Sequence, residues 1–291
     1  MNLHTAWKKR LAGFGTVGLW GVVVFAACLT LMPFVWLLCA SVKTTDDFFV
    51  YNFLPHRENA WWDILWNRLT LDNFRRLETE LGFHRYAINS VFVSTAQTCL
   101  VVLFSSMGGY ALAKYRFRGM HVVATLMLVS MMIPGEVLLG PMYELLYRIG
   151  WLDTYLGLII PGSVSVFAMF LYRQSMLGVP NDLLDAARVD GCSEFGIYAE
   201  IVMRACKPMT GAIVLLTFLG SWNAFLWPQI ILQTDAKYTL PVVLAQLITL
   251  YWQDYALVMA GTLVSVVPVM VLFFALQREF VGGLVSGALK G

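Results

Sequence analysis

DAARVDGCSEFGIYAEIVMRACKP, residues 185–208, places seven charged side chains inside a chain that is 59% hydrophobic and 13% charged. That contrast decides the fold. Soluble domains carry roughly 25% charged residues, so the sequence around this polar stretch needs lipid, not water, as its solvent. Crossing a bilayer as a helix takes about 20 apolar residues. Leu11–Val42, Tyr86–Ala113, Thr154–Tyr172, Pro208–Thr234 and Tyr255–Gln277 contain no Asp, Glu, Lys or Arg. A sixth stretch, Val122–Tyr147, is apolar except for Glu136 and Glu144 and is interrupted at Pro134–Gly135 and Gly140–Pro141. The expectation is an all-α membrane protein with six transmembrane helices, the third of them short and followed by an external helical turn. The polar stretch then falls in a loop between spans 4 and 5.

Lys and Arg concentrate in cytoplasmic loops. With the N-terminus inside, those segments hold Lys8, Lys9, Arg10, Lys114, Arg116, Arg118, Arg173, Arg188, Arg204, Lys207, Arg278 and Lys290. The two short outer loops hold only Arg148 and Lys237, and long loops such as 43–85 translocate largely regardless of charge. Both termini are therefore expected in the cytoplasm. The expected division is a cytoplasmic N-terminus (1–10), a first span (11–42), an external loop (43–85), a core of spans 2–6 (86–281) whose polar loop runs from about 176 to 207, and a cytoplasmic tail (282–291).

Several kinds of chemistry are missing from the sequence. It contains no G-x-x-x-x-G-K-[ST] phosphate loop, no H-E-x-x-H and no G-x-S-x-G, and His4, His56, His84 and His121 are scattered. Cys28, Cys39, Cys99, Cys192 and Cys206 lack metal-ligand spacing and read as small buried packing residues. A net charge of +2 points to no nucleic-acid partner. Ion-coupled carriers need ionisable groups at membrane depth, and Glu136, the nearest, reads as a solvated helix-start carboxylate. An ion-coupled carrier and an intramembrane enzyme are the rival classes; the first lacks relays in its spans, the second a nucleophile or metal set.

The polar loop has its own structure. Pro180 suits a first helical turn and Asp182 and Asp185 favour the dipole there. Leu183, Leu184 and Ala187 supply an apolar side, and Gly191 the left-handed stop. Ser193 then caps a second helix, with Phe195, Tyr198, Val202 and Ala205 at spacings of three and four, until Pro208. Small side chains at Ala186 and Ala187 would let a partner approach the backbone, with Asp185, Arg188 and Asp190 fixing register. An amphipathic hairpin packed on the protein's own spans or on lipid is equally consistent with the pattern.

The run D-A-A-R-V-D-G-C-S followed by Ile201-Val-Met-Arg resembles the E-A-A-x-x-D-G-A-S…I-x-L-P signature of ABC importer permeases. GSWNAFLWP (220–228), YTLPV (238–242), MAG (259–261), the tail LQREFVGGLVSGALKG (276–291), Asn89-Ser90, GYALAKYRFRG (109–119) and Met132-Ile-Pro extend the resemblance over residues 86–291, toward carbohydrate-type, maltose-like six-span subunits. The resemblance implies a coupling helix seated in a separate ATP-binding subunit, with Asp185, Ala186, Ala187, Asp190 and Gly191 as the contact group. Asp185 stands for the usual Glu, Cys192 for Ala and Arg204 for Pro, so the second helix is expected to reach as far as Lys207. It implies a homologous second permease, two ATP-binding subunits that bind ATP and Mg, and a periplasmic or lipid-anchored solute-binding protein, in a bacterial inner membrane. This chain itself would hold no cofactor and catalyse nothing.

In the fifth span Trp222, Asn223, Trp227 and Gln229 offer aromatic faces and amides suited to a sugar. They suit interface, packing and interhelical roles as well. A glycerol phosphodiester or polyol is the alternative cargo. The tail residues Gly282, Gly283, Ser286 and Gly287 read as flexible, and the resemblance implies that the tail reaches toward the ATP-binding subunit.

Overall fold

The computed structural model describes the backbone of residues 3–58, 60–250 and 254–288 and the side chains of residues 18–58, 60–248 and 254–277. Lys8, Lys9, Arg10 and Arg278 are thus described in backbone only, and Lys290 lies outside the described residues. The helices in chain order are α1 (Leu3–Ser41), α2 (Thr45–Val50), α3 (Asp72–Thr79), α4 (Phe83–Lys114), α5 (Met120–Ser130), α6 (Leu139–Arg148), α7 (Tyr155–Ile159), α8 (Val166–Leu177), α9 (Asn181–Val189), α10 (Glu194–Gly196), α11 (Met203–Ala205), α12 (Lys207–Trp222), α13 (Leu226–Ile231), α14 (Leu240–Leu250) and α15 (Tyr255–Ala288). A two-stranded antiparallel hairpin, β1 (His56–Arg57) and β2 (Ala60–Ile64), lies between α2 and α3.

Three stretches are long and apolar enough to cross a membrane: Gly18–Ser41, Phe83–Lys114 and Tyr255–Gln277. Two more qualify as bent pairs, Met120–Ser130 with Gly135–Arg148 (92°) and Glu194–Ala205 with Lys207–Trp222 (81°), giving up to five. The breaks have local causes. Pro134 lacks an amide donor and drives Ile133 out of helical backbone. Cys206 leaves the helix at φ −93°, ψ 12°, and Pro208 enters the first turn of α12, where its missing N–H is not needed. Residues 154–172, expected as one uninterrupted helix, instead form α7 and α8 around Pro161–Gly162. The tail also differs from expectation. α15 continues to Ala288, so Gly282, Gly283, Ser286 and Gly287 belong to a helix, not to a loose end. Of the cysteines, Cys206 alone is buried; Cys28 and Cys99 are exposed and Cys39 intermediate on the outward faces of α1 and α4, and Cys192 is exposed in the turn after α9.

The chain divides into two compact units. In the unit of Met1–Leu81 with Leu247–Val264, the stretch after α1 is an ordered cap. Asn73 donates to the carbonyls of Ser41 and Lys43 at 2.8 Å each. The buried Lys43 ammonium donates to the Tyr51 carbonyl at 2.7 Å and sits 5.4 Å from the centre of the Phe48 ring, and buried Asp47 pairs with Arg68 at 2.6 Å. Asp254 accepts from Thr45 Oγ1 (2.9 Å), Arg76 Nη1 (2.7 Å) and the Leu257 amide (3.2 Å), joining α2 and α3 to the start of α15.

The other unit, Gly82–Gln246 with Ser265–Gly291, is organised on α4, which packs against α8 and α12. Gly109 permits the first contact. A Cβ there would lie 2.6 Å from Tyr172 Cβ and 2.9 Å from both the Arg173 nitrogen and the Met169 oxygen. Close helix contact through a small residue is a general device in membranes, where lipid offers little hydrophobic drive. Around it Val101, Tyr172, Met176, Ile197, Val202 and Ile213 form the buried core.

Candidate functional site

The polar hairpin folds as its caps require. α9 ends where Gly191 adopts φ +84°, and the Gly191 and Cys192 amides return to the carbonyls of Arg188 (3.1 Å) and Ala187 (2.9 Å). Ser193 Oγ caps the next helix by accepting from the Gly196 amide at 3.1 Å. Of the five residues carried over from the resemblance, Asp185, Ala186, Asp190 and Gly191 are exposed, whereas Ala187 is buried with Leu184 against the protein's own core. Leu183, expected on the apolar side, is exposed, and so are Val189 and Phe195.

The helix after Ser193 departs from the expected spacing. Residues Ile197–Val202 form a π turn, so the buried positions are Ile197, Tyr198, Val202 and Cys206, while Phe195 and Ala205 face outward. The wider turn adds a residue per bond and rotates the buried face. The helix ends at Ala205, before Lys207, and Arg204 lies 3.8 Å from Glu200 on the exposed side.

The end of α4 grips this hairpin. Lys114 Nζ donates to the Val179 carbonyl (2.6 Å) and to Asn181 Oδ1 (3.0 Å). The Tyr115 hydroxyl donates to Glu194 Oε2 at 2.6 Å, which pushes its phenol pKa up. Arg188 closes the set, donating from Nε to Glu194 Oε1 (2.6 Å), from Nη2 to Glu194 Oε2 (3.2 Å) and from Nη1 to Asp185 Oδ1 (2.6 Å). Ser106 Oγ and Tyr198 hydroxyl meet at 2.7 Å deeper in the core. GYALAKYRFRG therefore supplies both the close helix contact at Gly109 and the grip at Lys114–Tyr115.

The four residues expected in a fifth span over 208–234 separate, because the helix breaks after Trp222 and resumes at Leu226. Trp222 is buried, stacked on Phe218 with ring centres 5.6 Å apart; Asn223 and Gln229 are exposed. Trp227 lies on the wall of a cavity of about 320 Å³, and its Nε1 donates to the Gly157 carbonyl at 3.2 Å. Sequence reading missed the polar residues of that cavity. Ser90, Ser94 and Gln97 line it from α4, Ser221 from the end of α12, and Thr239 from the segment before α14. Gln97 Oε1 accepts from Ser221 Oγ (2.7 Å) and its Nε2 donates to the Gly162 carbonyl (3.2 Å). Ser90, Ser94 and Gln97 recur at spacings of four and three inside an apolar span, a signal readable in the sequence.

Nearby, Asn89 donates to the carbonyls of Ala236 (3.0 Å) and Tyr238 (2.9 Å), and Ser90 Oγ accepts from the Leu240 amide (2.7 Å). The Asn-Ser pair thus pins the Tyr-Thr-Leu-Pro segment. Asp153, at φ 54°, ties the loop before α7 to the loop after α13 by accepting from the Gln233 and Thr234 amides, Thr234 Oγ1 and Lys237 Nζ.

Helices long and apolar enough to cross a membrane, a cavity with a few polar residues on its wall and a polar hairpin gripped by the end of α4 suit a membrane transport component. Residues 105–281 match the family described as the binding-protein-dependent transport system inner membrane component, and the chain belongs to that family. It is 42% identical over 224 residues to the arabinooligosaccharides transport system permease protein AraQ of Halalkalibacterium halodurans, covering 77% of this chain and 80% of the relative. To AraQ of Bacillus subtilis it is 37% identical over 264 residues (90% and 92%), and to the lactose transport system permease protein LacG of Rhizobium radiobacter 30% over 271 residues (93% and 95%). Its fold is that of a chain from a bacterial ABC transporter involved in the import of the acidic polysaccharide alginate, with a TM-score of 0.76 at 21% identity over 94% of this chain and 98% of the other.

Proposed function

We propose that this chain is a six-span permease subunit of an ATP-driven, binding-protein-dependent importer of neutral oligosaccharides in a bacterial inner membrane, with both termini cytoplasmic. The similarity to AraQ carries this reading. The cavity lining, with no charged side chain among its described residues, supports a neutral cargo over a glycerol phosphodiester. A homologous permease, two ATP-binding subunits and a solute-binding protein complete the assembly, and ATP and Mg belong to the ATP-binding subunits.

In this reading α9 is the coupling helix. Asp185, Ala186, Asp190 and Gly191 meet the ATP-binding subunit, Ala187 anchors the helix to its own chain, and Arg188 with Glu194 holds its angle. ATP closes the motor, and the nucleotide can bias the permease only through differential affinity for its two states. Trp222, Asn223, Trp227 and Gln229 lie near the passage, with Trp227 on the cavity.

Proteoliposomes containing the whole assembly are expected to accumulate labelled arabinotriose only with internal ATP and the loaded binding protein. Ala186→Cys is expected to cross-link to the ATP-binding subunit. Uptake driven by a proton or sodium gradient in the absence of ATP would overturn this reading in favour of an ion-coupled carrier.

A further inference from the structure

Helix α4 is fastened at both ends, and to different segments of the chain. Near its start the Tyr86 hydroxyl donates to Asp235 Oδ2 (2.8 Å), Asn89 donates to the carbonyls of Ala236 (3.0 Å) and Tyr238 (2.9 Å), and Ser90 Oγ accepts from the Leu240 amide (2.7 Å). At its other end Lys114 donates to the Val179 carbonyl (2.6 Å) and to Asn181 Oδ1 (3.0 Å), and Tyr115, just beyond the helix, donates to Glu194 (2.6 Å). Lys114 thus holds the start of α9. Tyr115 holds the far side of the Gly191 turn, and Glu194 passes that hold to Arg188 and Asp185. Some 25 residues, about 37 Å of helix, separate the two sets of bonds.

The helix between them is suited to carrying a displacement. Its neighbours in this unit are broken: α5 from α6 at Pro134, α7 from α8 at Pro161–Gly162, α11 from α12 at Cys206, and α12 from α13 after Trp222. α4 runs from Phe83 to Lys114 without interruption and without proline. Its soft point is the Gly108–Gly109 pair, and α8 braces it: Cβ atoms there would lie 2.5 Å from Met169 Cε and 2.6 Å from Tyr172 Cβ. A hairpin moving without α4 would break three hydrogen bonds at Lys114 and Tyr115, each with one charged partner and so of the stronger kind. Rigid elements of this sort carry coupling between distant sites.

We propose that α4 is the transmission rod of this subunit. It moves as one body with the hairpin 181–205 and passes that displacement to the segment 235–240, with Lys114 and Tyr115 as positioning residues at one end and Tyr86 and Asn89 at the other. This role rests on the importer reading above, in which α9 meets the ATP-binding subunit, and deepens it by naming the helix that receives the motion.

The test uses the complete assembly in proteoliposomes with labelled arabinotriose, reading sugar moved per ATP hydrolysed. Lys114→Met combined with Tyr115→Phe is expected to lower that ratio about tenfold, within the usual range for coupling between sites, and Asn89→Ala to lower it to a similar degree. Changes more than about 10 Å apart ordinarily add, but two breaks in one rod do not. The variant carrying all three substitutions is therefore expected to have a ratio no lower than the worse of its parents. Losses that multiply, or a ratio unchanged by the Lys114 and Tyr115 substitutions, overturn the proposal. Should these variants not assemble, nitroxide labels in an assembly whose native cysteines are replaced give a second readout. The exposed positions are Glu200→Cys in the hairpin, Met107→Cys on α4 and Tyr147→Cys on α6, beyond the 92° bend after α5. On ATP binding the spacing from 200 to 107 is expected to stay constant while that from 200 to 147 shifts. A 200-to-107 spacing that changes with ATP, or a 200-to-147 spacing that does not, refutes the rod. Absence of ATP-driven uptake by the wild-type assembly would instead strike the importer reading itself.

Discussion

Gly109 shows how much a single missing carbon decides. The three atoms that a Cβ would meet within 3 Å include two from backbone, which cannot swing away. Gly109→Ala is therefore expected to destabilise the α4–α8 contact by about 1–3 kcal/mol, read as a lower unfolding midpoint in detergent. Gly21 is a control, for nothing lies within 4 Å of its Cβ position. An alanine in that mid-helix setting is expected to be neutral or slightly stabilising.

Among the elements, the two loops bound by Asp153 have a pH dependence with a definite sign. Burial alone would raise the Asp153 carboxyl, but Lys237, the Thr234 hydroxyl and two backbone amides hold it well below the ordinary carboxylate range. A depressed folded pKa gives stability that is fully present above the unfolded value and is lost as pH falls through the folded one. Asp153→Asn keeps the tolerance for positive φ but removes the charge. The variant is expected to unfold at a lower temperature than wild type at neutral pH, the gap narrowing progressively below about pH 4. A gap constant with pH would refute the charge as its cause.

The elements also mark what the sequence could and could not reveal. α9, its glycine stop and the Ser193 cap were legible because each depends on one residue with a distinctive backbone or side-chain role. The π turn at Ile197–Val202 was not, since nothing in those six residues distinguishes an i→i+5 bond from an i→i+4 one before tertiary packing acts. At 154–172 the sequence offers both an uncharged length and the Pro161–Gly162 dipeptide; in the structure the helix is interrupted there, and the Gly162 carbonyl accepts from Gln97, a partner 65 residues away in sequence. The Ser90, Ser94, Gln97 pattern is legible in the sequence; which of these groups find partners, Ser90 with the Leu240 amide and Gln97 with Ser221, appears only when the helices are assembled.

For the whole molecule, each compact unit has its own fastening. In the first, Asp254 serves three donors from α2, α3 and its own helix. Asp254→Ala is expected to weaken that unit by about 1–3 kcal/mol, with protease cleavage appearing within residues 43–81 ahead of cleavage in α4 or α12. Simultaneous loss of both units would show that they do not unfold separately. In this unit Trp61 and Trp62 of the hairpin and Trp66 just after it are mostly exposed, so the order of that segment does not rest on burying those rings.

The bond set shared by Lys114, Tyr115, Arg188 and Glu194 bears on engineering. Residues 181–205 are not an interchangeable cartridge: a graft from a sister permease would bring its own outward face but lose its footing on α4. A productive chimera should transplant the two sequence-distant pieces together, 109–119 along with 181–205, so that the donor's outward face arrives with the bracket that aims it.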